Sequence, residues 1–196
     1  METGGSTGVN GGALWALSWR IAQAEVALAS LMSVAITVLI LLNVITRSLG
    51  NSIYWVDEAA ITAMVWMAFL GASASLHYRT AISVTLFPDA LSLNGRRIVT
   101  RLIDFIVLLF SIGLSWLSFD WFDPIGLFQA GFSLDEFAST SFNFIYSETT
   151  TTLGISKFWL WLIVPLFAVQ SAIHALANLL ATEPVTSPSI VLAGRE

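Results

Sequence analysis

Two histidines are the residues of this sequence best suited to binding a cofactor. His77 and His174 lie far apart in the chain, each in the later part of an apolar segment. Imidazoles from two neighbouring helices can ligate a haem iron from both sides, so this pair would serve one haem at most. Tyr78 and Arg79 follow His77 directly, which is typical of the lipid headgroup zone. We expect both histidines near a membrane surface, with haem ligation as the alternative to solvation there.

Two adjacent acids, Asp57 and Glu58, begin the second apolar segment just after Trp55. Acids in the first turn of a helix complement its macrodipole, and an aromatic residue anchors that end at the membrane interface. The alternative pairs one acid with Arg47, which ends the preceding segment across a short turn. Asn43, one helical turn before Arg47, is a further candidate for a hydrogen bond between helices. A pair of Arg47 with one of the acids would fix the hairpin or be presented to a partner protein.

Composition and missing motifs exclude several kinds of chemistry. The sequence has no cysteine, which excludes disulfides, thiolate catalysis and cysteine-ligated metals. It has no glycine-rich phosphate loop, histidine metal cluster or nucleophile motif. Eight basic residues against thirteen acidic ones leave no cationic surface for nucleic acid. We therefore expect no catalytic residue, no metal and no cofactor, and a protein that is not an enzyme.

The chain is too apolar for a water-soluble protein. Of its 196 residues 56% are hydrophobic and 11% are charged, with a mean hydropathy of +0.80. Four continuous apolar runs each approach the roughly 20 residues that a helix needs to cross the hydrocarbon core. The sequence therefore predicts an all-α integral membrane protein with four transmembrane helices. The predicted spans are about 26–45, 57–77, 100–119 and 158–180.

The segments outside the spans have distinct compositions. Residues 1–24 are predicted to be a flexible tail with a short interfacial helix, the membrane domain covers 25–180, and 181–196 form a loose tail. Between the third and fourth spans, the loop 120–157 contains several phenylalanines and a tyrosine. So many aromatic side chains predict an element that docks on the membrane or contacts a partner protein.

Arginine placement predicts the orientation. Four arginines lie between the second and third spans, whereas Arg47, Lys157 and several acids lie on the opposite side. Because basic residues close to span ends stay in the cytoplasm, both termini are predicted to be cytoplasmic. The aromatic loop 120–157 is then periplasmic.

Small and polar residues within the spans predict how the helices pack. Four small residues recur at helical spacing along the second span: Ala68, Gly71, Ala72 and Ser75. Such a face lets helices approach closely, so we expect packing within this chain, with a seam to another subunit as the alternative. Asp104, which interrupts the third apolar run near its start, follows Arg101 by three residues and is expected to pair with it at the surface. So few ionic groups predict a protein that cannot move a solute by itself.

Several short motifs follow one another at characteristic distances. They are Asn43-Val44-Ile45-Thr46-Arg47, Trp55-Val56-Asp57-Glu58, Trp66, Phe69-Leu70-Gly71-Ala72, Arg79 and Leu153-Gly154-Ile155 leading to Val164-Pro165-Leu166. From about Glu25 to Leu180 the chain resembles the small membrane subunit, the Q or DctQ-type component, of tripartite ATP-independent periplasmic (TRAP) transporters. Ala81-Ile82-Ser83-Val84-Thr85 departs from the histidine-and-acid pattern that this family often has after Arg79.

The resemblance implies a division of labour. A large M-type permease would carry the substrate and ion sites, and a periplasmic substrate-binding protein would deliver an organic anion, with 120–157 as its candidate contact. The small subunit would scaffold the permease in the lipid bilayer of a bacterial or archaeal inner membrane, and transport would use an ion gradient. The structural and partner-interface candidates are Asn43, Arg47, Trp55, Asp57, Glu58, Ala68, Gly71, Ala72 and Arg79.

Two other functions stay open at the level of sequence. A haem- or quinone-bearing membrane anchor of a respiratory enzyme would use His77 and His174. A free-standing four-helix carrier would transport without a partner.

Overall fold

Residues 12–80 and 93–181 are described by the computed structural model, and they are mostly helical. Within these ranges there is no β-strand, only an isolated antiparallel bridge between Thr149 and Ser156. The helices are α1 (Ala13–Ser48), α2 (Trp55–Tyr78), α3 (Leu93–Phe122), α4 (Pro124–Gln129), α5 (Leu134–Ser141), α6 (Lys157–Trp161) and α7 (Ile163–Leu180).

Four helical stretches are long and apolar enough to cross a membrane: Ala13–Ser48, Trp55–Tyr78, Arg97–Gln129 and Lys157–Leu180. Each contains one of the four apolar runs of the sequence. The prediction of an all-α membrane protein with four transmembrane helices is confirmed. The expectations for the two tails and for Ala81–Thr85 fall wholly or partly outside the described residues.

The central helix of the bundle is α7, which packs against α1, α2 and α3. Helices α1 and α2 form a hairpin through a short turn at Gly50, whose φ of +74° suits a glycine. Helix α3 packs mainly on α7. The bundle has two ends. At the one we call the terminal end, α1 begins and α2 and α7 end. The opposite end, where the turn between α1 and α2 lies, is the hairpin end. Because α3 leans on α7, a groove remains between α2 and α3.

Several polar residues lie inside this bundle, and many large apolar ones lie on its surface. The face of α3 that is buried includes Thr100, Asp104, Ser111 and Ser118, whereas Phe110 and many other apolar side chains of α3 are exposed. Exposed apolar side chains are favourable in lipid, where small and polar residues mediate helix contacts. The surface of this chain is therefore suited to a bilayer.

The first helix differs from its prediction. A separate interfacial helix was expected before a span beginning near residue 26, but α1 runs without interruption from Ala13 to Ser48. Glu25 is only 1% exposed and bonds to His174, so its charge does not end the buried part of the helix. The residues expected to lie on the membrane surface instead supply a face of the core.

The fourth stretch is interrupted at Leu162, between α6 and α7. Pro165 has no N–H to offer the carbonyl of Trp161, and its ring crowds that carbonyl. The indole of Trp66 donates a 3.2 Å hydrogen bond to the nearby carbonyl of Leu160. Helix α2 thus contacts the backbone beside the break.

Candidate functional site

The Glu58 carboxylate fastens the turn 151–153 to the first turn of α2. Its two oxygens accept hydrogen bonds from the backbone N–H groups of Thr151 (3.0 Å), Thr152 (2.7 Å) and Leu153 (2.9 Å), and from the Thr152 hydroxyl (2.5 Å). Gly154 follows at φ +68°, a conformation that glycine adopts without strain. A carboxylate that accepts this many hydrogen bonds is held in one orientation. We call Glu58 and 151–154 the Glu58 clamp.

The other acid of the pair holds the α1–α2 hairpin. Asn43 donates its side-chain N–H to a carboxylate oxygen of Asp57. Neither Asp57 nor Glu58 forms an ion pair with Arg47 within the described residues, so that hypothesis is wrong. The carboxylates already have neutral partners that lie closer. Trp55, at the start of α2, is 44% exposed.

The loop 120–157 has its own small aromatic core. Tyr146 lies between Phe137 and Phe158, at ring-centroid distances of 5.5 and 5.2 Å, and Phe122 packs beside it. Burial, with the nearby charge of Asp123, raises the pKa of the Tyr146 hydroxyl, which donates to the Phe122 carbonyl at 2.6 Å. Four phenylalanines of the loop stay exposed: Phe128, Phe132, Phe142 and Phe144. Only part of the aromatic content is therefore available to lipid or to a partner.

Two cavities open between α2 and α3. The one at the hairpin end has a volume of about 830 Å³, with Ile61, Val65, Trp121, Phe144 and Trp161 among its walls. Its rim carries Glu58, Asp120 and the ion pair of Lys157 with Glu148. The one at the terminal end is small, at about 30 Å³, and its lining includes Ser75, Val107 and Asn178. We call the two cavities together the α2/α3 groove.

The small residues of α2 lie on the open side of the helix. Ala68, Gly71 and Ala72 are exposed, and a Cβ added at Gly71 would meet no atom within 4 Å. Ala68 and Ala72 follow Val65 by one and two helical turns, so they lie on the same side of α2 as that residue of the groove. The expected packing of this face within the chain is wrong. The buried face of α2 uses Ala63, Leu70 and Ala74 instead.

Arg79 and Asp104 close the terminal end of the groove. The guanidinium donates to the carboxylate at 2.8 Å, and both side chains are less than a tenth exposed. Arg101 contacts the Leu179 carbonyl at 3.5 Å, so the expected surface pair of Arg101 with Asp104 is wrong. Asn178 donates to the Leu76 carbonyl at 2.8 Å. These contacts join the ends of α2, α3 and α7.

The histidines lie in the core and not in the headgroup zone. His77 is 6% exposed and His174 is fully buried. The Ser18 hydroxyl lies between their Nδ1 atoms, at 2.7 and 2.8 Å, and His174 Nε2 is 3.1 Å from a Glu25 oxygen. Three of the four ring nitrogens are thus engaged with neighbouring side chains. This geometry does not support the haem-anchor alternative.

Sequence reasoning missed Ser18 and Glu25, and with them the ionic character of the core. Glu25 directly precedes the first predicted span, and neither residue was among the candidates. A signal was present, because Ser18, Ala22 and Glu25 recur at i, i+4 and i+7 and define one face of α1. All three are buried.

Residues 36–183 match the model of the family described as "Tripartite ATP-independent periplasmic transporters, DctQ component". The chain belongs to the DctQ family. No curated protein and no solved structure matches the chain. Membership makes this DctQ chain the small membrane subunit of a TRAP transporter and a component of a multi-protein complex. The Glu58 clamp and the α2/α3 groove lie inside the matched range, whereas Ser18 and Glu25 precede it.

Proposed function

We propose that this DctQ chain braces the large M-type permease by receiving one of its transmembrane helices in the α2/α3 groove. The observation that carries this proposal is the exposure of Ala68, Gly71 and Ala72 on α2. A helix surface that faces lipid usually has bulky apolar side chains, and small residues usually lie in contacts between helices. Bulky apolar side chains suffice against lipid, whereas small ones let a second backbone come close. A partner helix would gain dispersion contacts there that lipid tails do not supply.

The ends of the groove suit the same interpretation. Apolar side chains such as Ile61 and Val65 line the cavity at the hairpin end, with Glu58 and Asp120 at its rim, and Arg79 and Asp104 border the cavity at the terminal end. The Glu58 clamp and the Arg79–Asp104 pair fix these rims. A preformed groove loses little conformational entropy when it binds. The candidates that would then shape the interface are Asn43, Asp57, Glu58 and Arg79. Those that would contact the permease are Ala68, Gly71, Ala72, Trp55 and Arg47.

The wider proposal follows the family. The permease would import an organic anion on an ion gradient, and a periplasmic substrate-binding protein would deliver it. Phe128, Phe132 and Phe142, exposed at the hairpin end, offer that protein a contact. The distribution of arginines supports cytoplasmic termini and a location in the inner membrane of a bacterium or archaeon. This chain would have no catalytic role.

Replacement of Gly71 by leucine tests the proposal, because it adds bulk to the exposed small-residue face of α2 at a position where a Cβ would meet no atom within 4 Å. We expect Gly71→Leu to lower the amount of permease that co-purifies by at least about tenfold, equivalent to 1.4 kcal/mol. Gly113→Leu is the matched control, since it is also a mid-helix glycine with open space around a Cβ, but on α3 beside Leu109 and Leu117. Equal loss in both variants, or full-rate transport by the permease without this chain, would contradict the proposal.

A further inference from the structure

A continuous line of hydrogen-bonding side chains crosses the buried junction of α1, α2 and α7. It runs from Glu25 through His174 and Ser18 to His77, with contacts of 3.1, 2.8 and 2.7 Å. Glu25, His174 and Ser18 are at most 1% exposed, and His77 is 6% exposed. Ionisable groups at this depth are rare in membrane proteins and mark sites that handle ions or protons. We call these four residues the polar line.

The single hydrogen of the Ser18 hydroxyl constrains the whole line. Each of the three contacts needs one hydrogen, but the hydroxyl can donate to only one of its two histidine neighbours. The other histidine must therefore carry a hydrogen on Nδ1 and donate it to the Ser18 oxygen. This requirement links the tautomer of His77 to that of His174, although the rings are 5.5 Å apart between centroids.

Two arrangements satisfy all three contacts. In the first, the Ser18 hydroxyl donates to His77 Nδ1 and His174 Nδ1 donates to the Ser18 oxygen. The carboxyl group of Glu25 is protonated and donates to His174 Nε2. In the second, His77 Nδ1 donates to Ser18, Ser18 donates to His174 Nδ1, and His174 Nε2 donates to the Glu25 carboxylate. The polar line has the same contacts in both, but its hydrogen bonds point in opposite directions.

In the conversion of the first arrangement to the second, three hydrogens each cross one hydrogen bond, and the net result is the transfer of one proton from Glu25 to His77. The Glu25 O–H bond breaks as His174 Nε2–H forms, the His174 Nδ1–H bond breaks as a Ser18 O–H forms, and the original Ser18 hydrogen passes to His77 Nδ1. His77 keeps its Nε2 hydrogen throughout. The products are a Glu25 carboxylate and a His77 imidazolium, so one positive charge has travelled the length of the line with no change in oxidation state.

We propose that Glu25 is a proton-binding site, filled and emptied from the terminal end through His77, Ser18 and His174. The second carboxyl oxygen of Glu25 is buried and has no hydrogen-bond partner within the described residues. An unpaired, charged oxygen in a low-dielectric core is costly, and a bound proton removes that charge. His77, in the last turn of α2, is the member of the line that retains some exposure and so exchanges protons.

Other titratable and charged groups near the line are either paired with other residues or exposed. Tyr78 receives a 2.7 Å hydrogen bond from Gln23. Arg79 pairs with Asp104 of α3, and on α1 the side chain of Arg20 is exposed. Helix α7 places no charged residue beside His174. The protons of the line are therefore shared among its four members.

The test uses the fact that the chain contains two histidines only. The full-length protein, labelled with ¹⁵N-histidine and held in lipid nanodiscs, shows two imidazoles whose nitrogen shifts report tautomer and charge. We expect both rings to change tautomer at one shared midpoint, as the line gains or loses its proton, between about pH 5 and pH 9. Ser18→Ala breaks the line and should separate the two midpoints by at least about one pH unit.

Two further variants complete the experiment. Glu25→Gln keeps the shape of the side chain but binds no proton, so the shared step should disappear. Ser30→Ala is the matched control for Ser18→Ala, because the Ser30 hydroxyl bonds only to the Val26 carbonyl of its own helix. Separate midpoints in the unsubstituted protein, a shared step that survives Glu25→Gln, or a His174 ring that never changes tautomer would each overturn the proposal. The unsubstituted protein and Glu25→Gln decide it even if Ser18→Ala fails to fold.

Discussion

Glu58 joins two positions that lie more than ninety residues apart in the chain. A carboxylate in the first turn of a helix already interacts well with the helix dipole, and here it also satisfies three amides of a turn. Water could hydrogen-bond to the first turn of α2, or to the amides of the turn 151–153, without joining the two. Because the same two oxygens meet both, the turn 151–153 and the start of α2 keep a fixed distance. The width of the groove at the hairpin end depends on that distance.

The clamp predicts where the chain opens when Glu58 is changed. Glu58→Ala leaves the amides of Thr151, Thr152 and Leu153 without their acceptor, so they should exchange with deuterium several-fold faster in a hydrogen-exchange mass spectrum. Glu58→Gln should have a smaller effect, because its single amide oxygen still accepts. Asp57→Asn is the control, since Asp57 bonds to Asn43 and not to this turn. Unchanged exchange at 151–153 in Glu58→Ala would show that the clamp does not hold the turn.

Helix α3 depends on a few polar contacts for its position. It packs mainly on α7, and the Arg79–Asp104 ion pair joins it to the end of α2. Arg79 itself has a φ of +52° and caps α2, with its N–H donating to the Ser75 carbonyl. A backbone in this conformation directs the chain away from the helix axis, so the guanidinium can turn back toward α3.

The Arg79–Asp104 pair predicts a strongly non-additive pair of substitutions. Asp104→Leu leaves the Arg79 guanidinium buried without its counter-charge and should lower the free energy of unfolding by about 3–5 kcal/mol. The double variant Asp104→Leu with Arg79→Met removes both charges and should recover most of that loss. Thermal unfolding of each variant in lipid nanodiscs measures the coupling. Equal destabilisation by Asp104→Leu and by the double variant would mean that the charges do not interact.

Sequence predicts the elements of this fold better than their pairings. Four uninterrupted apolar runs predict four helices because the bilayer requires a minimum length of apolar chain. The partner of each polar group depends on which helix faces meet, and that follows from contacts between residues as distant as Glu25 and His174. Asp104 pairs with Arg79 and not with Arg101 for the same reason. Local spacing offered the nearer arginine, but the bundle places the distant one closer.

At the scale of the whole molecule, the two ends of the bundle differ in character. The terminal end holds the polar line and the Arg79–Asp104 pair within the core. The hairpin end holds acids, the Glu58 clamp and exposed aromatic residues. This asymmetry matches the proposed orientation, in which the hairpin end faces the periplasmic binding protein and the terminal end faces the cytoplasm. A proton exchanged through His77 would then come from the cytoplasmic side.

The orientation can be tested directly because the chain has no cysteine. Single cysteines at Leu49 and Phe142, which are 78% and 81% exposed at the hairpin end, should react with a membrane-impermeant maleimide in intact cells. A cysteine at Thr80, exposed just beyond the end of α2, should react only after the inner membrane is permeabilised. The unsubstituted protein gives the background of the assay. Labelling of Thr80→Cys in intact cells, with Leu49→Cys and Phe142→Cys protected, would reverse the orientation and place His77 on the periplasmic side.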